Sequence, residues 1–248
     1  MFEILALLLL SSCHATKSNI GTKQNKSLKI AVISDLNSSY GSVTYNSEVA
    51  ATLNDLAQIK PDLILCAGDM VAGQKQSLTE ENIRAMWQAF NNTVLQPIKK
   101  MQTPFGFTLG NHDASPSYKS DRAIASQFWQ ENVAATNLHF IDSSHYPFYY
   151  SFLQNNVFVL SWDAAGARVP PEVYTWMSRQ LNSGVARSAA LRIVLGHLPL
   201  YPIVTAKNKP GEVNAAADSS LLFFKDNRVD LYISGHQHAF YPAKKEGL

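Results

Sequence analysis

Five short polar clusters each follow an apolar run: Asp35-Leu36-Asn37, Gly68-Asp69, Gly110-Asn111-His112-Asp113, Gly196-His197 and Gly235-His236-Gln237-His238. Together they hold carboxylates, amide oxygens and imidazoles, the donors that bind divalent cations. A two-cation site needs a carboxylate to bridge, further oxygen and nitrogen ligands, an open position for water or substrate, and a proton donor beside the leaving group. The clusters supply all of these. Asp69 reads as the bridge, since a bridging oxygen must carry charge to offset the two cations it lies between. Asp35 serves one cation. Asn111, His197 and His236 offer donors to the other. His238 stands two residues from His236, a spacing that turns side chains to opposite faces of an extended chain. The bend after Gly235 must therefore reorient them. A glycine ahead of four clusters lets the backbone turn sharply and come close to an ion. Taken singly, a Gly-His pair is usually a turn and an Asp after a strand usually a cap. The reading rests on the set, which takes in four of the chain's seven histidines, in order.

The elements that must position these groups alternate. Apolar, β-branched runs over 28–34, 62–67, 105–109, 190–195 and 229–234 read as strands covered on both faces. Between them, helices are expected over 48–60, where Val49, Leu53 and Leu56 recur at helical spacing and Pro61 stops the run, and from Thr79 onward with Met86, Phe90 and Leu95 inward. Further helices are expected over 121–132, 171–181 and 216–226, Pro171 being a favourable first-turn residue. Residues 148–153 and 157–162 flank Gln154-Asn155-Asn156 and read as an antiparallel hairpin. The result is α/β with mixed sheets: parallel βαβ units plus an antiparallel excursion. No composition break divides 28–248 into two domains.

The chain has 248 residues, 46% apolar and 16% charged, which provides for a substantial core. Its net charge of +2, without a basic run interleaved with aromatics, gives no support for nucleic acid as a partner. Residues 4–10 are an apolar run too short to span a bilayer, followed by Ser11-Ser12-Cys13. Leu10-Ser11-Ser12-Cys13 resembles the lipobox of bacterial lipoproteins. That implies a signal peptide over 1–12, a lipid on Cys13 as the sole membrane attachment, a polar tether over 13–27, and an extracytoplasmic bacterial protein, anchored or periplasmic. The departures are Glu3 and the absence of Lys or Arg before the apolar run. A plain secretory signal and a non-targeting tail are the alternatives. Cys66, in an apolar run, reads as a small core residue, and there is no Cys-rich zinc pattern.

The ordered set Asp-x-(His), Gly-Asp, Gly-Asn-His-Asp, Gly-His, Gly-His-x-His resembles the signature of the calcineurin-like metallophosphoesterases, from Leu28 to about Tyr241. The resemblance implies a four-layer αββα sandwich and two divalent ions, Mn, Fe or Zn. One ion would be held by Asp35, residue 37, Asp69 and His238. The other would be held by Asp69, Asn111, His197 and His236. His112 would be the general acid or a transition-state stabiliser, oriented by Asp113. The reaction implied is in-line attack of a metal-bound hydroxide on a small phosphomonoester or phosphodiester. Substrate choice would lie in the loops 38–46, 115–120 and 204–213.

Two departures bear on the first ion. Asn37 stands where that family carries histidine, so the ion is expected to bind less tightly and to favour a hard cation such as Mn²⁺, or a water takes the place and Asn37 backs it. Ten residues follow His238, so the family's later strands of the second sheet are expected to be missing. Three lesser candidates are Trp162-Asp163 at the cleft, Lys207 and Lys209 as phosphate contacts, and Tyr40 as a site neighbour. Two rivals stand beside this reading. One is a non-catalytic or mononuclear metal-binding protein on the same fold, against which His112 and Asp113 argue. The other is a nucleotide-binding domain, which lacks a Gly-rich loop after the first strand.

Overall fold

The computed structural model of the chain describes residues 28–248. The signal peptide expected over 1–12, the lipid acceptor Cys13 and the tether over 13–27 lie outside the described residues. Strand β1 (Ile30–Ile33) leads through helix α1 (Ser47–Ile59) to β2 (Leu63–Cys66). Helix α2 (Glu80–Phe90) continues through a π turn (Asn91–Leu95) into α3 (Gln96–Met101), and β3 (Phe105–Phe107) follows. These strands form a parallel sheet in the order β1-β2-β3. Next come α4 (Asn111–Ala114), α5 (Lys119–Glu131) and the strands β4 (Phe140–His145), β5 (Tyr149–Gln154) and β6 (Val157–Ser161). Helices α6 (Pro171–Leu181) and α7 (Gly184–Ser188) lead to β7 (Leu191–Leu195), and α8 (Ala217–Asp226) to β8 (Leu231–Ile233). The second sheet runs β4-β5-β6-β7-β8, antiparallel up to β6 and parallel from there on.

Local chemistry explains these elements. In α1 the buried face is Val49, Leu53 and Leu56, and Lys60 ends it in the left-handed region at φ 50°. Pro61 disfavours helical geometry at the residue before it. A capping box opens α2: Thr79 Oγ1 accepts from the Asn82 N–H, and Asn82 Oδ1 accepts from the Thr79 N–H. Asn155 and Asn156, at φ 49° and 64°, form the two-residue turn that joins β5 to β6.

Alternation along β6 shows how the layers stack. Val157 and Val159 belong to one core with β1 to β3, α1, α2 and α5, whereas Phe158 and Leu160 belong to a second core with α6 and α8. The two sheets therefore face each other, with helices on both outer sides, which is the expected four-layer sandwich. Tyr150, fully buried on β5, spans the interface. Its hydroxyl accepts from the Phe107 N–H at 2.9 Å and donates to the Phe107 carbonyl at 2.6 Å. Edge strand β3 thereby has its free backbone groups satisfied from the opposite sheet. Cys66 is a buried core thiol, as its surroundings in the sequence suggest.

Candidate metal centre

All the expected ligands sit just past strand ends, on two sheets. Asp35 follows β1, Asp69 follows β2, and Asn111 to Asp113 open α4 after β3. His197 follows β7, and His236 and His238 follow β8. Asp35, Asp69, His236 and His238 all lie in the left-handed region, at φ 54°, 54°, 69° and 51°. A non-glycine residue there costs about 1–2 kcal/mol, a strain characteristic of functional sites. Two glycines are required by close approach. A Cβ on Gly110 would overlap the Asp69 carboxylate, and one on Gly235 would lie 2.7 Å from Asp35 Oδ2 and 2.8 Å from the Ala67 carbonyl.

One donor set converges fully. Asp69, His197 and His236 each offer a ligand atom within 4.8 Å of the others. His197 Nε2 lies 3.2 Å from Asp69 Oδ2 and 2.9 Å from Asn111 Oδ1. His197 Nδ1 donates to the Ala67 carbonyl at 2.7 Å, which leaves Nε2 to face the other ligands. The second set is looser. His238 Nε2 lies 3.3 Å from Asp35 Oδ1, and the His238 side chain is 63% exposed. Asn37 is half-buried and its backbone N–H reaches the Asp69 carbonyl at 3.1 Å. Among the described residues, no hydrogen bond joins its side chain to another site group.

Charge at the centre fits a cation. Burial opposes ionisation of Asp69, yet His197 and His112 hold its carboxyl below the usual range. Burial also opposes a charge on His197, but Asp69 beside it, with Asp35, pushes it up to about 9. A proton on His197 thus supplies positive charge where two carboxylates and an amide oxygen converge. Burial, His197 and Lys207 hold His236 below its usual range, so it stands as a neutral imidazole. Oxygen and nitrogen donors of these kinds, with Asp69, His197 and His236 buried, fit a divalent ion.

His112 borders this set. Its backbone N–H donates to Asp69 Oδ1 at 2.9 Å, and its ring Nδ1 meets the Gly73 carbonyl at 3.2 Å, leaving Nε2 free. Asp113 does not orient it, contrary to expectation. The Asp113 carboxylate instead accepts from the N–H groups of Met70, Val71 and Gly110, at 2.8, 2.9 and 2.8 Å. It fastens the loop carrying Asp69 to the one carrying Asn111. Burial and the Asp69 charge push Asp113 up to about 7.

Residues 28–240 match the family profile described as calcineurin-like phosphoesterase. The chain belongs to the calcineurin-like phosphoesterase family. It is 26% identical over 86% of its length to a phosphoenolpyruvate phosphatase of Allium cepa, and 25% identical over 96% to purple acid phosphatase 3 of Arabidopsis thaliana. It spans 41% and 66% of those two relatives. Among solved structures it resembles the purple acid phosphatase PPD1 from Lupinus luteus seeds, with TM-score 0.60 and 16% identity over 84% of this chain and 37% of that one. It also resembles a dimetal phosphatase from Danio rerio, with TM-score 0.55 and 13% identity over 85% of this chain and 82% of that one. These two likenesses concern the fold.

Beside this centre opens a cleft of about 400 Å³, lined by Gln74, Asn111, Ser115 to Ser117, Ala165 to Arg168, Glu212 and His236 among others. Two of the three loops expected to face substrate line it. From the third loop, Tyr40 packs its ring 5.2 Å from that of His112. The segment Ala165 to Arg168 is an addition that periodicity does not reveal. Asp163 pairs with Arg122 and serves structure rather than the cleft. Lys207 donates to the His236 carbonyl, and Lys209 lies 3.8 Å from Glu212. Sequence reasoning misses Gln74, whose Oε1 accepts from Asn111 Nδ2 at 2.7 Å and so turns Oδ1 toward His197. It also misses Glu212, 2.7 Å from His236 Nε2. Both sit on irregular loops, and nothing local in the sequence singles them out.

Proposed function

We propose that this chain is a metal-dependent phosphoesterase that removes phosphate from small phosphomonoesters, using two divalent ions of the Mn, Fe or Zn type. The observation that carries the reading is the convergence of Asp69, His197 and His236 with Asn111, beside a cleft that Asn111 and His236 line, with the His112 N–H on the Asp69 carboxylate. Ions bound there supply Lewis acidity and an activated water. Asp69, His197, His236 and Asn111 would hold one ion, and Asp35, His238 and Asp69 the other, with Asn37 beside it. His112, anchored through Nδ1, would present Nε2 to the leaving oxygen and, in its imidazolium form, give up the Nε2 proton to it. The relatives named as phosphatases favour monoesters over diesters. A panel of aryl monoester and diester substrates with added Mn²⁺ tests this. Monoester hydrolysis that disappears in Asp69→Ala and His112→Ala supports the reading. Equal turnover in those variants overturns it.

The exposed His238, and an Asn37 side chain that makes no hydrogen bond to a site group among the described residues, favour a second reading in which only one ion binds tightly. Metal analysis of the isolated protein separates one equivalent from two. The extracytoplasmic, lipid-anchored placement is part of the proposal and rests on Leu10 to Cys13. Incorporation of a labelled fatty acid in a bacterial host, lost in Cys13→Ala, is the expected result.

A further inference from the structure

We infer that Glu212 is a positioning residue for the metal site of Asp69, Asn111, His197 and His236, fixing which nitrogen of His236 faces the ion. The inference rests on the metal-dependent reading above. Glu212 Oε2 lies 2.7 Å from His236 Nε2. An ionised carboxylate only accepts, so Nε2 carries the proton and donates it. Glu212 stands outside the group formed by Asp69, His197 and His236. The nitrogens sit on different sides of the ring, so on this reading Nδ1, bearing the lone pair, is the nitrogen left to serve the group. His197 is wired the opposite way, its Nδ1 tied to the Ala67 carbonyl and its Nε2 directed inward. Two imidazoles whose rings meet edge-to-face at 5.2 Å thus present different nitrogens to one site. A partner on the outer nitrogen fixes the tautomer and raises ligand basicity.

An exposed loop would hold such a carboxylate poorly, and here the loop is fastened. Gln237, the buried residue between the two histidines, accepts on Oε1 from the N–H groups of Ile203 and Val204 at 3.3 and 3.1 Å. Its Nε2 donates to the Glu212 carbonyl at 3.3 Å. One amide therefore grips both ends of the loop, and Lys207 adds a bond from its ammonium to the His236 carbonyl. The residue that sets where Glu212 lies is the neighbour of the histidine that Glu212 orients.

The test compares wild type, Glu212→Gln and Glu212→Ala. Nitrogen-15 NMR of the metal-free full chain reads the His236 tautomer, calorimetric titration with Mn²⁺ reads each binding step, and thermal unfolding of the metal-free protein reports folding. The expected result is an Nε2–H tautomer in wild type and a shift toward Nδ1–H in Glu212→Ala. One Mn²⁺ step should weaken by about 10–100-fold with the other unchanged. Glu212→Gln, which retains an acceptor oxygen, should keep the tautomer and lose less affinity. Two unaltered binding steps and an unaltered tautomer in a folded Glu212→Ala would overturn the inference alone. A wild type that takes up no metal would overturn the phosphoesterase reading and this inference with it.

Discussion

Asp69 does two jobs with one residue. Its backbone carbonyl accepts from the Leu36 and Asn37 N–H groups, tying the end of β2 to the end of β1, while its carboxylate faces His197 and the His112 N–H. Asp69→Asn preserves the shape and removes the charge. It should fold, lose about 10²-fold or more in phosphate-ester turnover, and take up less than the wild-type complement of metal. Elemental analysis after gel filtration checks that expectation, and full metal occupancy would refute it. The same pair sets a pH dependence. In the metal-free protein His197 is raised to about 9, so its contribution to stability is complete below its unfolded value near 6.5 and is lost as pH rises through 9. A ligating His197 must be neutral, so metal uptake below pH 9 should release a proton and weaken as pH falls. Calorimetry at neutral pH in two buffers of different ionisation heat reads the proton directly. At position 37 an amide replaces the family's imidazole, a better donor for Mn²⁺ than for Zn²⁺. Asn37→His should tighten the weaker metal step and raise Zn²⁺ relative to Mn²⁺. Identical titrations for variant and wild type would show that residue 37 touches no ion.

At the scale of elements, β3 is an edge strand made usable by a side chain from the other sheet. Tyr150→Phe leaves the Phe107 N–H and carbonyl buried without their partner, at a cost of about 1–3 kcal/mol. Urea unfolding should show that loss with an unchanged slope. An unchanged midpoint would mean that water or a shifted strand had replaced the hydroxyl. How legible each element is in the sequence follows from where its partners lie. Helix α1, with its stripe of Val49, Leu53 and Leu56, and α6, with Pro171 at its start, coincide with their sequence signals within about a residue because period and stop signals are local. Strand β4 is not legible: Phe140 and Asp142 are half-buried, the rest exposed, so no apolar run marks it. The ligands are legible because each lies within a few residues of the end of an apolar strand. The groups that orient them are not. Asp113 bonds to Met70 across 43 residues and Glu212 to His236 across 24, and such pairings exist only once the loops have folded together.

The whole molecule enters because the centre belongs to neither sheet. Asp35, Asp69 and Asn111 end strands of the first sheet, and His197, His236 and His238 end strands of the second. The contacts that cross between the two sets join strand-end loops: His197 Nδ1 to the Ala67 carbonyl, His197 Nε2 to Asn111 Oδ1 and Asp69 Oδ2, the His236 N–H to Asp35, and His238 Nε2 to Asp35 Oδ1. The spacing of the donors therefore depends on the spacing of the sheets, and that is set by interior packing. Gly106 on β3 is a point of closest approach, where an added Cβ would stand 2.6 Å from Phe152 Cζ on β5 and 3.0 Å from Leu65 Cδ2. Both neighbours are fully buried, so neither can swing into solvent. Gly106→Val must push the sheets apart or distort rotamers, at about 1–3 kcal/mol. It should also weaken metal uptake, although residue 106 is no ligand. Phe152→Leu in the same chain makes room beside residue 106 and should recover part of both losses, a coupling expected for residues in contact. If Gly106→Val lowered the unfolding midpoint yet bound Mn²⁺ as tightly as wild type, the donors would be held by the strand-end loops and their cross-bonds, independently of the packing beneath them.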